Sequence, residues 1–153
     1  MIGSLFCAIG KSLGGCTPSV EAQVKPEIQP VGTIDINLAS SILLDKLEEI
    51  GDDKAEIFLP DINIKIYNKD EVSKSYELKE VSAIKYVAEK HDCDDFAAKL
   101  YGKFAGLVWT NAHALNFFYN QDATFWWIEP QTRKISKKLE TWQGFEVRFF
   151  IAR

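Results

Sequence analysis

The chain has 153 residues, 46% hydrophobic and 26% charged, which are ordinary values for one folded globular domain. Its formal net charge of −4 disfavours a general nucleic-acid-binding surface, so no nucleic-acid partner is expected. No apolar run reaches the roughly 20 residues of a membrane-spanning helix, so no transmembrane span is predicted. Nothing in the sequence assigns a compartment or an oligomeric state.

The first quarter of the chain differs in composition from the rest. Three of the five prolines lie within residues 17–39, which show no helical periodicity. We therefore expect an N-terminal arm or linker over 1–39, able to dock to a partner, followed by one domain over 40–153.

The first regular elements are predicted directly after this arm. Apolar spacing predicts a helix over 40–50, with Ser40 or Ser41 as its N-cap. Two β-prone runs follow at 55–59 and 62–67, and the second alternates apolar and polar residues.

The middle of the chain is predicted to be helical on either side of a short break. Residues 68–77 are polar and predict a loop. Helices are expected over 80–90 and 92–104, the second with an apolar stripe that includes Phe96 and Leu100.

The C-terminal third predicts an antiparallel sheet. A turn over 120–122 separates two of its four strand candidates, which are 107–110, 113–119, 124–129 and 145–152. Helices followed by such a meander predict an α+β fold, with N-terminal helices packed on a C-terminal antiparallel β-sheet.

Cys93 is a candidate nucleophile because it opens the helix over 92–104. Unpaired backbone N–H groups at a helix start favour a thiolate and can stabilise an oxyanion. The alternative is a buried structural cysteine. The flanking carboxylates of Asp92, Asp94 and Asp95 oppose thiolate formation, which suggests a neutralising cation.

His113 and Glu129 lie on successive strand candidates. His113 shares a strand face with apolar residues, and it is a candidate general base. Glu129 follows large aromatic residues, where an unpaired carboxylate is costly, so a neighbouring imidazole would pair it and be oriented by it. The plain alternatives are a structural histidine and an exposed acid at a strand end.

Asp94 and Asp95 are candidate metal ligands. Two adjacent carboxylates, with further oxygens from Asn116 or Gln131, suit Ca²⁺ or Mn²⁺. Acids in the first turn of a helix are also favourable without a metal, because they interact well with the helix dipole.

Three motifs together resemble a known family. Asp-Cys-Asp-Asp-Phe-Ala at 92–97, His-Ala-Leu-Asn at 113–116 and Ile-Glu-Pro-Gln at 128–131 resemble the papain-like and transglutaminase-like superfamily. The closer resemblance is to the C-terminal domain of the fairy-ring mushroom agglutinin and its relatives. It is specific only over 93–132, and the Gln-x-Trp repeat of that family's sugar-binding half is absent, so lectin activity is not implied.

This resemblance implies a papain-like cysteine protease activated by calcium or manganese. It implies Cys93 as nucleophile, His113 as base, Glu129 as orienting residue, and Asp94 and Asp95 as metal ligands. The expected substrate is then a peptide or another amide, hydrolysed through a thioester.

Two alternatives stay open. The Asp-Cys motif is also similar to cell-wall peptidoglycan endopeptidases of the NlpC/P60 type, although Asp94, Asp95 and Glu129 depart from that pattern. The other alternative is a non-catalytic structural or partner-binding module that retains the papain-like fold.

Overall fold

The computed structural model describes residues 26–152. This range forms four α-helices, α1 Ile36–Ile50, α2 Lys69–Lys74, α3 Tyr76–Ser82 and α4 Cys93–Tyr101. It also forms eight β-strands, β1 Gly32–Asp35, β2 Glu56–Phe58, β3 Asn63–Tyr67, β4 Gly106–Thr110, β5 Ala114–Asn120, β6 Phe125–Glu129, β7 Lys134–Ser136 and β8 Val147–Ile151. A short 3-10 helix, Thr141–Gln143, precedes β8.

The long helix α1 starts earlier than predicted. Asp35, not Ser40 or Ser41, is the N-cap, and its carboxylate accepts hydrogen bonds from the backbone N–H groups of Asn37 and Leu38. Gly51 ends the helix in a left-handed conformation with φ 73°. The acid at 35 therefore adds a helical turn within the predicted arm of 1–39, whose residues 1–25 lie outside the described range.

Strand β5 is the centre of the sheet. It pairs antiparallel with β6 and with β4, and it pairs parallel with β3. The sheet order is β1-β3-β5-β4-β8-β2, and off this path β6 pairs with β5 and β7 pairs with β6. Strand β2 pairs parallel with β8. The sheet is therefore mixed. Its C-terminal strands β4 to β8 pair antiparallel, as predicted, whereas β2 and β3 from the N-terminal half join it by parallel pairing.

The middle of the chain departs most from prediction. The expected loop at 68–77 is instead helical, because Asn68 caps α2 and Ser75 caps α3. The expected helix over 80–90 is wrong, since α3 ends at Ser82 and Val87 forms a bridge with His91.

Two apolar clusters lie on the two faces of the sheet. On one face, Leu43 of α1 packs with Phe117 and Trp127. On the other face, Phe96 of α4 packs with Phe118. Helices packed on a sheet confirm the α+β class in its general form. No helix among residues 26–152 is long and apolar enough to cross a membrane.

Candidate functional site

The structure brings His113 and Glu129 together. His113 precedes β5 and Glu129 ends β6, and their side chains meet with 2.8 Å between Nε2 and Oε2. His113 is 8% exposed and Glu129 is 3% exposed. A turn fixes the histidine, because its backbone N–H donates to Thr110 Oγ1 at 2.9 Å. The Glu129 carboxylate is therefore buried together with a hydrogen-bond partner, which avoids the free-energy cost of burying an unpaired acid.

Gln143 completes this buried network. Its Nε2 donates to Glu129 Oε2 at 2.9 Å, and the backbone N–H of Gln131 donates to Oε1 at 3.3 Å. Gln143 belongs to the 3-10 helix, where it forms a capping box with Glu140. Gln143 was not predicted as a site residue from the sequence, although the Glu140–Gln143 spacing is a local signal for that helix.

An exposed tryptophan covers the buried network. The ring centroids of Trp142 and His113 lie 5.0 Å apart at an interplanar angle of 57°. The indole N–H of Trp142 donates to Glu140 Oε2. Trp142 is nevertheless 55% exposed. Its indole is therefore held on one side and open to solvent on the other.

Cys93 begins α4 and is half-buried. Within the described range, the thiol makes no hydrogen bond with His113, whose Nε2 contacts Glu129 instead. Asn116, predicted from the sequence as a further metal ligand, links helix α4 to the sheet. Its Nδ2 donates hydrogen bonds to Ala97 O and Gly106 O at 2.9 Å each. The histidine and the acid are thus joined to each other, and the thiol is joined to neither.

The acids around Cys93 form a small cluster. Potential ligand atoms of Asp92, Cys93 and Asp94 all lie within 4.8 Å of one another, and Asp95 is outside this group. The pKa of Asp94 is raised above its ordinary value of 3.8, chiefly by a hydrogen bond with the Asp92 side chain and further by burial. Two carboxylates sharing a small space explain the direction of this shift.

Asp94→Asn should raise the thermal midpoint at pH 7 by about 1–2 °C. Because the pKa is raised in the folded state, that state binds the proton more tightly than the unfolded chain. Stability therefore falls as pH rises through the range just above 3.8, and the deficit persists at neutral pH. Melting curves from pH 3 to pH 7 test this, and the gain should vanish at the acid end. Asp95→Asn is the matched control and should give no rise, since Asp95 lies outside the cluster.

Comparisons with known proteins show the fold. No protein-family model and no curated protein matches the chain. A solved structure described as the "PSL1a-E64 complex" is similar, with a TM-score of 0.63 and 20% identity, over 78% of this chain and 50% of that one. Another is Polyporus squamosus lectin bound to Neu5Aca2-6Galb1-4GlcNAc, with a TM-score of 0.61 and 20% identity, over 78% and 49%. The chain thus spans about half the length of these structures.

These comparisons correct the predicted family and activity. The similar structures are those of Polyporus squamosus lectin, so the prediction of a papain-like cysteine protease is wrong. The predictions of a hydrolase and of a peptide or amide substrate are wrong on the same ground. The comparisons give no support to the alternative of a peptidoglycan endopeptidase. The individual roles assigned to Cys93, His113 and Glu129 stay predictions from the sequence.

Proposed function

We propose that this chain is a non-catalytic binding module whose ligand surface surrounds Trp142. The observation that carries the proposal is the exposure of this indole, 55%, although its ring and its N–H are both held in place. Phe145, three residues on, is 69% exposed. A large exposed aromatic ring that is held in place, as Trp142 is, is typical of ligand-binding surfaces. We name Trp142 and Phe145 the aromatic patch.

The ligand class that suits the aromatic patch is a glycan carrying a carboxylate. An indole face packs against the C–H face of a sugar ring, and polar groups beside it fix the orientation. Glu140 and Lys134 form an ion pair next to Trp142, and they supply an acceptor for hydroxyls and a cation for a carboxylate. The sialylated glycan in the lectin complex supports this class.

The buried network acts in this proposal as a support for the patch. Glu129 holds His113 and Gln143, and these two residues lie directly under and beside Trp142. A ring positioned by buried groups loses little conformational entropy when a ligand binds.

A divalent cation at the start of α4 is part of the proposal. Asp92 and Asp94 offer two oxygen ligands within 4.8 Å, whereas Asp95, a ligand predicted from the sequence, lies outside this group. Ca²⁺ and Mn²⁺ accept such oxygens, whereas the Cys93 sulfur suits softer metals. Calcium or manganese should therefore raise the melting midpoint relative to chelator, and Asp94→Asn should remove that response. Equal midpoints in all three conditions would exclude the cation.

Trp142→Ala should weaken binding of Neu5Acα2-6Galβ1-4GlcNAc by about tenfold or more, because the stacking surface is lost. Isothermal titration of the full chain measures this. The native protein should also bind the sialylated trisaccharide more tightly than Galβ1-4GlcNAc, which lacks the carboxylate.

Tyr86→Ala is the control for exposed aromatic area, since Tyr86 is 54% exposed and lies outside the patch. It should bind the trisaccharide as the native protein does. Absence of glycan binding by the native chain, or equal binding by the Trp142 variant, would contradict the proposed ligand surface.

A further inference from the structure

A groove between α3 and α4 lies where the described part of the chain begins. Its volume is about 690 Å³, which is the size of a typical ligand cleft. Val81, Ala83 and Ile84 supply apolar wall, and Pro26, the first described residue, also lines the groove. The chain therefore enters the described domain at this groove.

The two residues after Pro26 are fixed to the helices on either side of the groove. Glu27 Oε1 lies 3.7 Å from Lys103 Nζ in an ion pair. The backbone N–H of Ile28 donates to Glu77 Oε1 at 3.2 Å, and the Ile28 side chain packs against the apolar cluster on this face of the sheet. The residues before Pro26 therefore start next to the groove.

The sequence directly before Pro26 suits an extended conformation with one apolar side. Val20, Ala22 and Val24 alternate with polar residues, which is the period of an extended chain. A proline also disfavours the helical conformation of the residue before it, so Lys25 favours an extended approach to Pro26. Three apolar side chains then follow one another along one side of the segment, about 7 Å apart.

The charges of the groove suit a segment without net charge. The lining includes both acids and bases, which are Glu27, Glu80, Lys99 and Lys103. A ligand with a strong charge of either sign would therefore meet like charges. Residues 20–25 carry one acid and one base, and hence no net charge.

We propose that residues 20–25 of this chain dock in the groove as an extended segment. Their apolar side packs against the wall formed by Val81, Ala83 and Ile84, and their polar side faces solvent. Removal of this apolar surface from water stabilises the docked segment. The groove is then a contact within the chain. It shares no residue with the aromatic patch, so the proposal does not depend on glycan binding.

Single cysteines placed in the segment report which of its sides is buried. Val24→Cys and Ala22→Cys keep small apolar side chains towards the groove, and Gln23→Cys is the matched control on the opposite side. In the full-length chain, N-ethylmaleimide should label the thiol introduced by Val24→Cys or by Ala22→Cys about tenfold more slowly than that introduced by Gln23→Cys. Peptide mass spectrometry separates the introduced thiol from the native ones. In concentrated urea the three rates should be equal.

Ala83→Arg tests whether the groove causes this protection. Ala83 is exposed and lines the groove, so a long charged side chain there should displace the segment and leave the core intact. The thiol introduced by Val24→Cys should then react as fast as that introduced by Gln23→Cys. Ser73→Arg is the control and should keep the protection, since it adds the same side chain at an exposed position of α2 outside the groove.

Equal labelling rates at the three positions in the folded chain, or protection that survives Ala83→Arg, would overturn the proposal. Protection that increases with protein concentration would overturn it as well, because a second copy of the chain would then cover the segment.

Discussion

Glu129→Ala should lower the free energy of unfolding by about 3–5 kcal/mol, because it breaks a buried, hydrogen-bonded charge site. The carboxylate is 3% exposed and accepts from His113 at 2.8 Å and Gln143 at 2.9 Å. Alanine leaves both donors without a partner and opens a cavity between them. Urea unfolding followed by fluorescence measures the loss.

Glu56→Ala is the matched control because Glu56 is an exposed strand glutamate on β2. It should change the free energy of unfolding by less than about 0.5 kcal/mol. If the two variants unfold at the same urea concentration, the network around Glu129 contributes no stability, and Trp142 lacks the support assigned to it.

Gly106→Ala should destabilise the fold by about 3 kcal/mol or more through overpacking. Gly106 lies on β4 opposite Phe117 of β5. An added Cβ would overlap the ring edge of Phe117 and lie 2.9 Å from Ile151 O. Phe117 is 1% exposed, so its ring cannot move outward into solvent. Thermal unfolding and urea titration both report the effect.

Gly102→Ala separates this overlap from the general effect of replacing glycine. Gly102 has a helical φ of −66°, and an added Cβ would lie 3.9 Å from its nearest neighbour outside the adjacent residues. That variant should be neutral or slightly stabilising. Gly106→Ala combined with Phe117→Leu should recover part of the loss. A fully stable Gly106→Ala protein would show that β4 and β5 do not approach as described.

The C-terminal strands were the most predictable part of the fold. The segments 113–119 and 124–129 are mostly apolar, β-prone runs, and β5 and β6 lie within one residue of those limits. The local sequence of a strand does not determine which other strand it pairs with. The parallel pairing of β3 with β5 and of β2 with β8 joins residues far apart in sequence, which strand periodicity alone does not specify.

The segment over 68–77 was predicted to be a loop because its residues are polar, but two N-capping residues within it start helices. Asn68 and Ser75 each accept hydrogen bonds from backbone N–H groups that follow them, and these residues start α2 and α3. Further on, the apolar spacing through Val87 suggested a longer helix. Glu89 adopts a positive φ of 60° beside the Val87–His91 bridge, which is incompatible with a continuous helix.

The candidate site was predictable only where a burial argument applied. A carboxylate among aromatic residues needs a partner, and this reasoning linked Glu129 to His113. Gln143 and Trp142 come from a short 3-10 helix that reaches the site through long-range packing. Cys93 was placed in the site because it opens a predicted helix, with the motif resemblance as further support, and the structure gives it no hydrogen bond to His113 within the described residues.

The relative reactivity of Cys93 tests the non-catalytic assignment most directly. The full chain is treated with the thiol-reactive epoxide E64, and mass spectrometry compares labelling of Cys93 with that of Cys7 and Cys16. Since Cys93 lacks a hydrogen bond to His113 and lies among carboxylates, the account predicts that it reacts no faster than the other two, with or without calcium. Rapid, selective labelling of Cys93 that is lost in His113→Ala would contradict a non-catalytic module.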